Sequence, residues 1–329
     1  MSGFKAFRLF EDSGKVSGRV VEMDANALSP GNVLIRTAFS SINYKDAMAV
    51  AGQGKIIRSY PRIGGIDLTG TVAESADARF KPGDRVVVHG FGIGVDSDGG
   101  HAEYARVSAD WVLHLPKGLS LLEAATLGAA GYTAALSIHL MEHNDLRPEN
   151  GPVFVNGATG GVASVAIDML SQRGYKVTAV TGKDAEHDYL RHLGAAQIIS
   201  RHALELGKRP LEKAQWAGAI DSLGGDFLSW ITRSMLPNGV IASFGNAGGN
   251  ELHTSVIPFL LRGIRIIGIN ANSPMPLRQT VWARIATDLR PQHLGEIANI
   301  ISLEGLPAAC ATMLKAESRG RTVILLHAE

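Results

Sequence analysis

The stretch VFVNGATGGVASVAIDML (Val153 to Leu170) holds the pattern with the most chemistry in it. An apolar run enters Gly157-Ala158-Thr159-Gly160-Gly161-Val162-Ala163, and an apolar-faced helical pattern leaves it at once. Glycines at such a turn let the backbone approach a pyrophosphate. The free N–H groups and positive dipole end of the following helix then favour the anion. The spacing Gly157-x-x-Gly160-x-x-Ala163 departs from G-x-G-x-x-G, but Ala163 falls where close helix–strand packing wants a small side chain. A glycine cluster alone is a weak signal; its place between strand and helix makes it a dinucleotide cradle. Thr159, Gly160, Gly161 and Val162 are the expected contacts.

The next strand, KVTAV, leads into Thr181-Gly182-Lys183. This is about 20 residues beyond the glycine turn, where an acid would hold a ribose 2′-hydroxyl. A carboxylate there would repel a 2′-phosphate, whereas a hydroxyl, a bare amide and an ammonium donate to one. Arg201, just after AQIIS, can close the same pocket, and Asp184 reads as a helix N-cap. The expected coenzyme is NADPH.

The elements that must position these groups follow from the pattern along the chain. Its 329 residues are 45% hydrophobic and 19% charged, a globular composition sufficient for about two domains. The first third is β-rich, in runs such as VLIRTAF, LTGTVAE and RVVVHG, with turn signals such as Pro82-Gly83-Asp84 between them. Near Pro116 the texture becomes helical, and Ser120 and Glu123 stand at capping-box spacing. Strands and helices then alternate through AGAIDSL, VIASFG and IRIIGIN, which predicts an α/β fold with a doubly wound parallel sheet. The terminal strand RTVILLH, with no helix after it, is expected to return to the first domain. The boundaries read as 1–125 with 273–329 for the first domain, and 126–272 for the second.

A net charge of +1 gives no basic field for nucleic acid. The single cysteine excludes an internal disulfide and a cysteine-rich zinc site. The N-terminal residues show no secretory pattern, and VIPFLLRGIRIIGI is broken by Arg262 and Arg265 and too short to span a bilayer. A cytoplasmic protein without a membrane partner is expected. IRIIGIN reads as an apolar sheet edge, a liability unless paired, so a homodimer through that edge is expected.

The motifs SINYKDAM, GIDLTGTV, FKPGDRVVVHG, GGHAEY, LGAAGYTA, GATGGVA and GRTVI resemble the medium-chain dehydrogenase/reductase family in its zinc-free, quinone-oxidoreductase branch. Within it, SINYKDAMAVAGQGKIIRSYPRIGGIDLTGTV and RPLEKAQWAGAIDSLGG look like the NADPH-dependent acryloyl-CoA reductases. The resemblance implies a Rossmann domain plus a β-rich GroES-like catalytic domain. Zinc-dependent relatives place a cysteine where this chain has Asn43 and a His-Glu pair where it has Ile66-Asp67, so no metal is expected. His89, His101 and His114 read as structural.

The resemblance also implies the chemistry: hydride to the β-carbon of acryloyl-CoA and a proton to the α-carbon, giving propanoyl-CoA. Negative charge collects on the thioester oxygen, so donors aimed at it matter most. Asn43 and Tyr44 are the catalytic candidates, and Tyr44 also a coenzyme contact; a phenol of ordinary pKa near 10 stays protonated at neutral pH. Asp46 reads as an acid holding that loop, and Asp67 as a support. Asn246 and Ala247, Asn270 and Ala271, and Arg321 are implied along the coenzyme. Arg58, Arg62, Arg262 and Arg278 are candidates for the CoA phosphates. The rival expectations are an NADPH-dependent quinone or enone reductase and a non-catalytic NADPH-binding protein.

Overall fold

The computed structural model describes residues 3–327. The chain divides into two compact units, one of Met1–Ala130, Asn272–Thr280 and Leu294–Glu329, the other of Gly131–Ala271 and Val281–His293.

The first unit opens with β1 (Phe4–Asp12) and β2 (Lys15–Met23), an antiparallel hairpin. There follow β3 (Val33–Ile42), α1 (Tyr44–Val50), β4 (Arg62–Ile63), β5 (Asp67–Ser75), β6 (Arg85–His89), β7 (Tyr104–Val107) and β8 (Val112–His114). The Pro82-Gly83-Asp84 turn forms as its residues require. Gly83 takes φ 93°, and the Asp84 carboxylate accepts the Lys81 N–H at 2.9 Å. Val33, Ile35, Leu68, Val72, Val86 and Val88 fill the core between the strands, where β-branched side chains fit a pleated surface.

Helix α2 (Leu121–His143) starts at the Ser120–Glu123 capping box, with reciprocal bonds of 2.8 and 3.1 Å. It contributes residues to both units and leaves helical geometry at Gly128 (φ 47°, ψ −147°). Its length and composition would allow it to cross a membrane, but 89% of its apolar window is buried inside the protein.

The second unit contains β9 (Val153–Val155), α3 (Gly161–Gln172), β10 (Val177–Thr181), α4 (His187–His192), β11 (Ala195–Ser200), β12 (Trp216–Asp221), α5 (Gly225–Ser234), β13 (Met235–Ser243), α6 (Ile257–Arg262) and β14 (Arg265–Gly268). All six strands are parallel, in the order β11-β10-β9-β12-β13-β14, a doubly wound sheet with β14 at one edge. Their C-terminal ends lie along one margin of the sheet, and β10 and β12 are buried at every residue, as parallel strands covered on both faces must be.

After α7 (Met275–Ile285), the chain forms α8 (Leu294–Ile297), β15 (Ala298–Ile301), α9 (Leu306–Leu314) and β16 (Arg321–Leu325). β16 pairs antiparallel with β3 and completes a seven-stranded sheet, so the terminal strand does return to the first unit. Residues 281–293, expected with the first domain, cluster with the second. The reason is burial: Val281, Trp282, Ile285 and Leu289 are fully enclosed. In addition, the N–H groups of Gln292 and His293 donate to the Asp168 carboxylate on α3 at 3.0 and 2.8 Å.

Candidate active site

In the second unit, β9 ends at Val155 and α3 begins at Gly161, with Gly160 as N-cap. The first bond within the helix is Ser164 N–H to Gly160 O at 2.8 Å. The N–H groups of Gly161, Val162 and Ala163 therefore have no partner inside α3 and are available to an anion. Gly157 sits at φ 57°, and a side chain there would run into Ser222 Oγ. Ala163 is 1% exposed, which is why that position takes a methyl group and nothing larger.

A buried network under this turn was not foreseen from the sequence. Asn156 Nδ2 donates to Asp221 Oδ1 at 2.6 Å, and Asn156 Oδ1 accepts the Ser222 N–H at 2.7 Å. Ser243 Oγ donates to Asp221 Oδ2 at 2.8 Å. The ends of β9, β12 and β13 are thereby tied together, and polar residues closing three apolar strands were the available signal.

Thr181 is the last residue of β10 and is 3% exposed; its Oγ1 accepts the Lys183 N–H at 3.0 Å, which leaves the hydroxyl proton to donate. Arg201 follows β11, which pairs with β10 so that Ser200 stands beside Thr181. Its guanidinium lies over Gly182: a Cβ added there would be 3.1 to 3.2 Å from Nη2, Cζ and Nε of Arg201. The Thr181 hydroxyl, the bare Gly182 backbone and the Arg201 guanidinium thus form one donor-rich corner, with Lys183 next in the chain. Asp184 is not the N-cap; Lys183 holds that position, and the Asp184 carboxylate faces His187 at 3.6 Å. Asn246 and Ala247 follow β13, and Asn270 and Ala271 follow β14, on the same C-terminal margin as the glycine turn. Asn246 Nδ2 donates to Asn250 Oδ1 at 2.6 Å.

The first unit holds a separate buried polar cluster around the start of α1. Asn43 is the N-cap of α1, and its N–H donates to Asp46 Oδ2 at 2.8 Å. Its side-chain amide donates to Asp46 Oδ2 at 3.1 Å and Asp67 Oδ2 at 2.9 Å, while Oδ1 accepts from Arg321 Nη1 at 3.2 Å. Both amide protons are therefore used, and Asn43, expected as a catalytic donor, has none left for a substrate oxygen. Asp67 also accepts the Ser41 N–H (2.9 Å), the Ser41 hydroxyl (2.6 Å) and the Ala129 N–H (3.0 Å). The last bond exists because α2 breaks at Gly128, where a Cβ would sit 2.5 Å from Asp67 Oδ2.

Arg321 is 2% exposed and donates to Thr126 O, Ile42 O and Ser41 Oγ besides Asn43. Four of its five N–H groups are used on these partners, so it carries a structural duty whatever its implied reach toward a coenzyme. Burial, then the Asp67 charge, pushes the Asp46 carboxyl from its ordinary 3.8 up to about 7. Burial also lowers the Arg321 guanidinium, which Asp67 and Asp46 oppose. Tyr44, the first residue of α1, is 48% exposed.

Three of the four arginines expected for CoA phosphates are already committed. Arg278 is 1% exposed, donates to the His89 carbonyl and stacks on Phe91 at 4.1 Å. Arg262 donates to the carbonyls of Arg233, Met235 and Glu212, and Arg62 to the hydroxyls of Ser29 and Ser59. Arg58 is exposed.

A divalent metal does not fit where zinc-dependent relatives hold theirs. The available side chains are the Asn43 amide and the Asp67 carboxylate, and the Arg321 cation already stands 3.7 Å from Asp67. His89 and His101 are buried, and His114 is exposed with Nε2 3.1 Å from Arg79 O and its ring stacked on Phe80. His101 Nδ1 lies 3.1 Å from Ser40 Oγ.

Residues 29–117 match the family model described as the alcohol dehydrogenase GroES-like domain, and residues 161–287 the one described as zinc-binding dehydrogenase. The chain is 43% identical over 326 residues to the putative quinone oxidoreductase YhfP of Bacillus subtilis, covering 98% of this chain and 99% of that one. It is 42% identical over 320 residues to the acrylyl-CoA reductase AcuI of Ruegeria pomeroyi, covering 97% of each. Among solved structures, Escherichia coli K-12 YhdH with bound NADPH matches at TM-score 0.95 and 40% identity, over 98% of this chain and 100% of that one. Bacillus subtilis yhfP with NAD bound matches at TM-score 0.96 and 43% identity, over 99% and 100%.

Proposed function

The chain belongs to the medium-chain dehydrogenase/reductase family and is an oxidoreductase, and from that premise we propose that it reduces the C=C bond of acryloyl-CoA to propanoyl-CoA with NADPH. The observation that carries the coenzyme is the corner at the end of β10, where the Thr181 hydroxyl keeps a proton to donate and the Arg201 guanidinium lies over the bare Gly182 backbone, with Lys183 next in the chain. Full-length similarity to AcuI supports the substrate.

When bound, NADPH supplies the hydride that the β-carbon accepts. The N–H groups of Gly161 to Ala163 would hold the pyrophosphate, and Thr181, Lys183 and Arg201 would hold the 2′-phosphate. Tyr44 donates its hydroxyl to the thioester oxygen, on which charge develops as the α-carbon awaits its proton. Asn43, Asp46, Asp67 and Arg321 do no chemistry; they fix the turn from which Tyr44 projects. Arg58 remains the exposed candidate for a CoA phosphate.

The test is NADPH oxidation followed side by side with acryloyl-CoA, benzoquinone and a free enone. Turnover fastest with acryloyl-CoA supports the reading. A quinone reductase is the second reading, favoured by the similarity to YhfP, and a faster quinone reaction would replace the first with it. Coenzyme binding with no loss of absorbance for any acceptor would point to a non-catalytic role. We further propose a cytoplasmic homodimer joined at β14.

A further inference from the structure

The N-terminal ends of β9 and β10 border a cavity of about 370 Å³. It is lined by Arg147, Arg173 and Arg284 with Glu142, His139 and His143. The glycine turn follows the C-terminal end of β9, and the strands are parallel, so this cavity lies at the opposite end of the sheet from the coenzyme cradle.

Its charges do not cancel. Glu142 is saturated: Oε2 accepts Arg284 Nη2 at 2.7 Å, and Oε1 accepts the Tyr175 hydroxyl at 3.2 Å and Arg173 Nη2 at 3.3 Å. Asp288, outside the lining, pairs with Arg284 at 2.5 Å and Arg173 at 3.6 Å. Arg147 is pinned another way, through Nη1 to the carbonyls of Glu142 (2.6 Å) and Leu146 (2.8 Å). Its Nε and Nη2, the edge that grips an oxyanion with two parallel bonds, have no hydrogen bond from the described residues. His139 Nδ1 faces Arg284 Nη1 at 3.4 Å, which makes it the acceptor and places the ring proton on Nε2.

We propose that this cavity is an anion-binding site for a small phosphate monoester, gripped by the held fork of Arg147 with Arg173 beside it. The volume exceeds that of a bare tetrahedral ion and suits one carrying a short organic tail. Nothing in this site depends on which substrate the enzyme reduces.

The test is titration calorimetry on the full chain saturated with NADPH, which keeps the probe out of the coenzyme cradle. The probes are glycerol 2-phosphate and sulfate, each against chloride at matched ionic strength. Saturable glycerol 2-phosphate binding, weakened about tenfold in Arg147→Gln and in Arg173→Gln, is expected. Arg147→Lys, which keeps the charge and loses the fork, should weaken it as well, with NADPH affinity unchanged. No saturable heat, heat identical in all variants, or sulfate binding without monoester binding would each overturn the proposal.

Discussion

Arg321 holds its guanidinium 3.7 Å from the carboxylate of Asp67, and the two side chains are 3% and 2% exposed. Removing one partner of a buried pair strands the other charge, at a cost of about 3–5 kcal/mol. Arg321→Met should therefore lower the denaturation midpoint strongly, and so should Asp67→Asn. The double variant should lose less than the sum, because the stranded charge is gone. Additive losses in a urea titration would contradict the pairing.

Asp46 sets a pH dependence of defined sign. With its carboxyl raised from 3.8 to about 7, the folded protein keeps a proton that the unfolded chain has already lost between those values. Stability therefore falls as pH rises through that window, and Asp46 adds no slope below or above it. Asp46→Asn removes this falling contribution, so its urea midpoint should move upward relative to the wild type's between pH 4.5 and pH 7.5. Equal changes would show that Asp46 ionises normally.

The donor corner at the end of β10 predicts coenzyme choice. Lys183→Asp should raise KM for NADPH by more than about tenfold while leaving NADH within about threefold. Gly182→Ala should act in the same direction by pushing Arg201 aside, since its Cβ would press on the guanidinium. Parallel losses for both coenzymes would remove the 2′-phosphate from this corner.

The edge strand predicts assembly. Val256, Leu260 and Leu261 are 66%, 75% and 69% exposed, in and just before α6, which immediately precedes β14. Exposed apolar patches beside an open strand mark association surfaces. Sedimentation should give a dimer, and Leu260→Asp a monomer. A monomeric wild type at micromolar concentration would contradict it.

The parallel sheet was legible because its strands are short, mainly apolar and alternate with helical segments, and the glycine turn named its ligand class by position. The corner proposed for the 2′-phosphate rests on three consecutive residues, Thr181, Gly182 and Lys183, and on Arg201 from beyond the neighbouring strand. What the sequence hid is long-range. Arg278 bonds a carbonyl 189 residues away, and no local pattern distinguishes that from a surface arginine. The saturation of Asn43 needs Asp46, Asp67 and Arg321 from three elements, so its residue type suggested a donor that the fold has already spent. Residues 281–293 joined the second unit through Trp282 and the Asp168 carboxylate, which a boundary drawn on composition cannot see.

The central claim is a hydride placed on the β-carbon of acryloyl-CoA, and isotope transfer measures it directly. NADPH deuterated at carbon 4 of the nicotinamide, in each of its two stereoisomers, would be supplied with acryloyl-CoA in ordinary water. The account predicts propanoyl-CoA with one deuterium at the β-carbon from one stereoisomer and none from the other. Deuterium at the α-carbon, or no propanoyl-CoA at all, would contradict it.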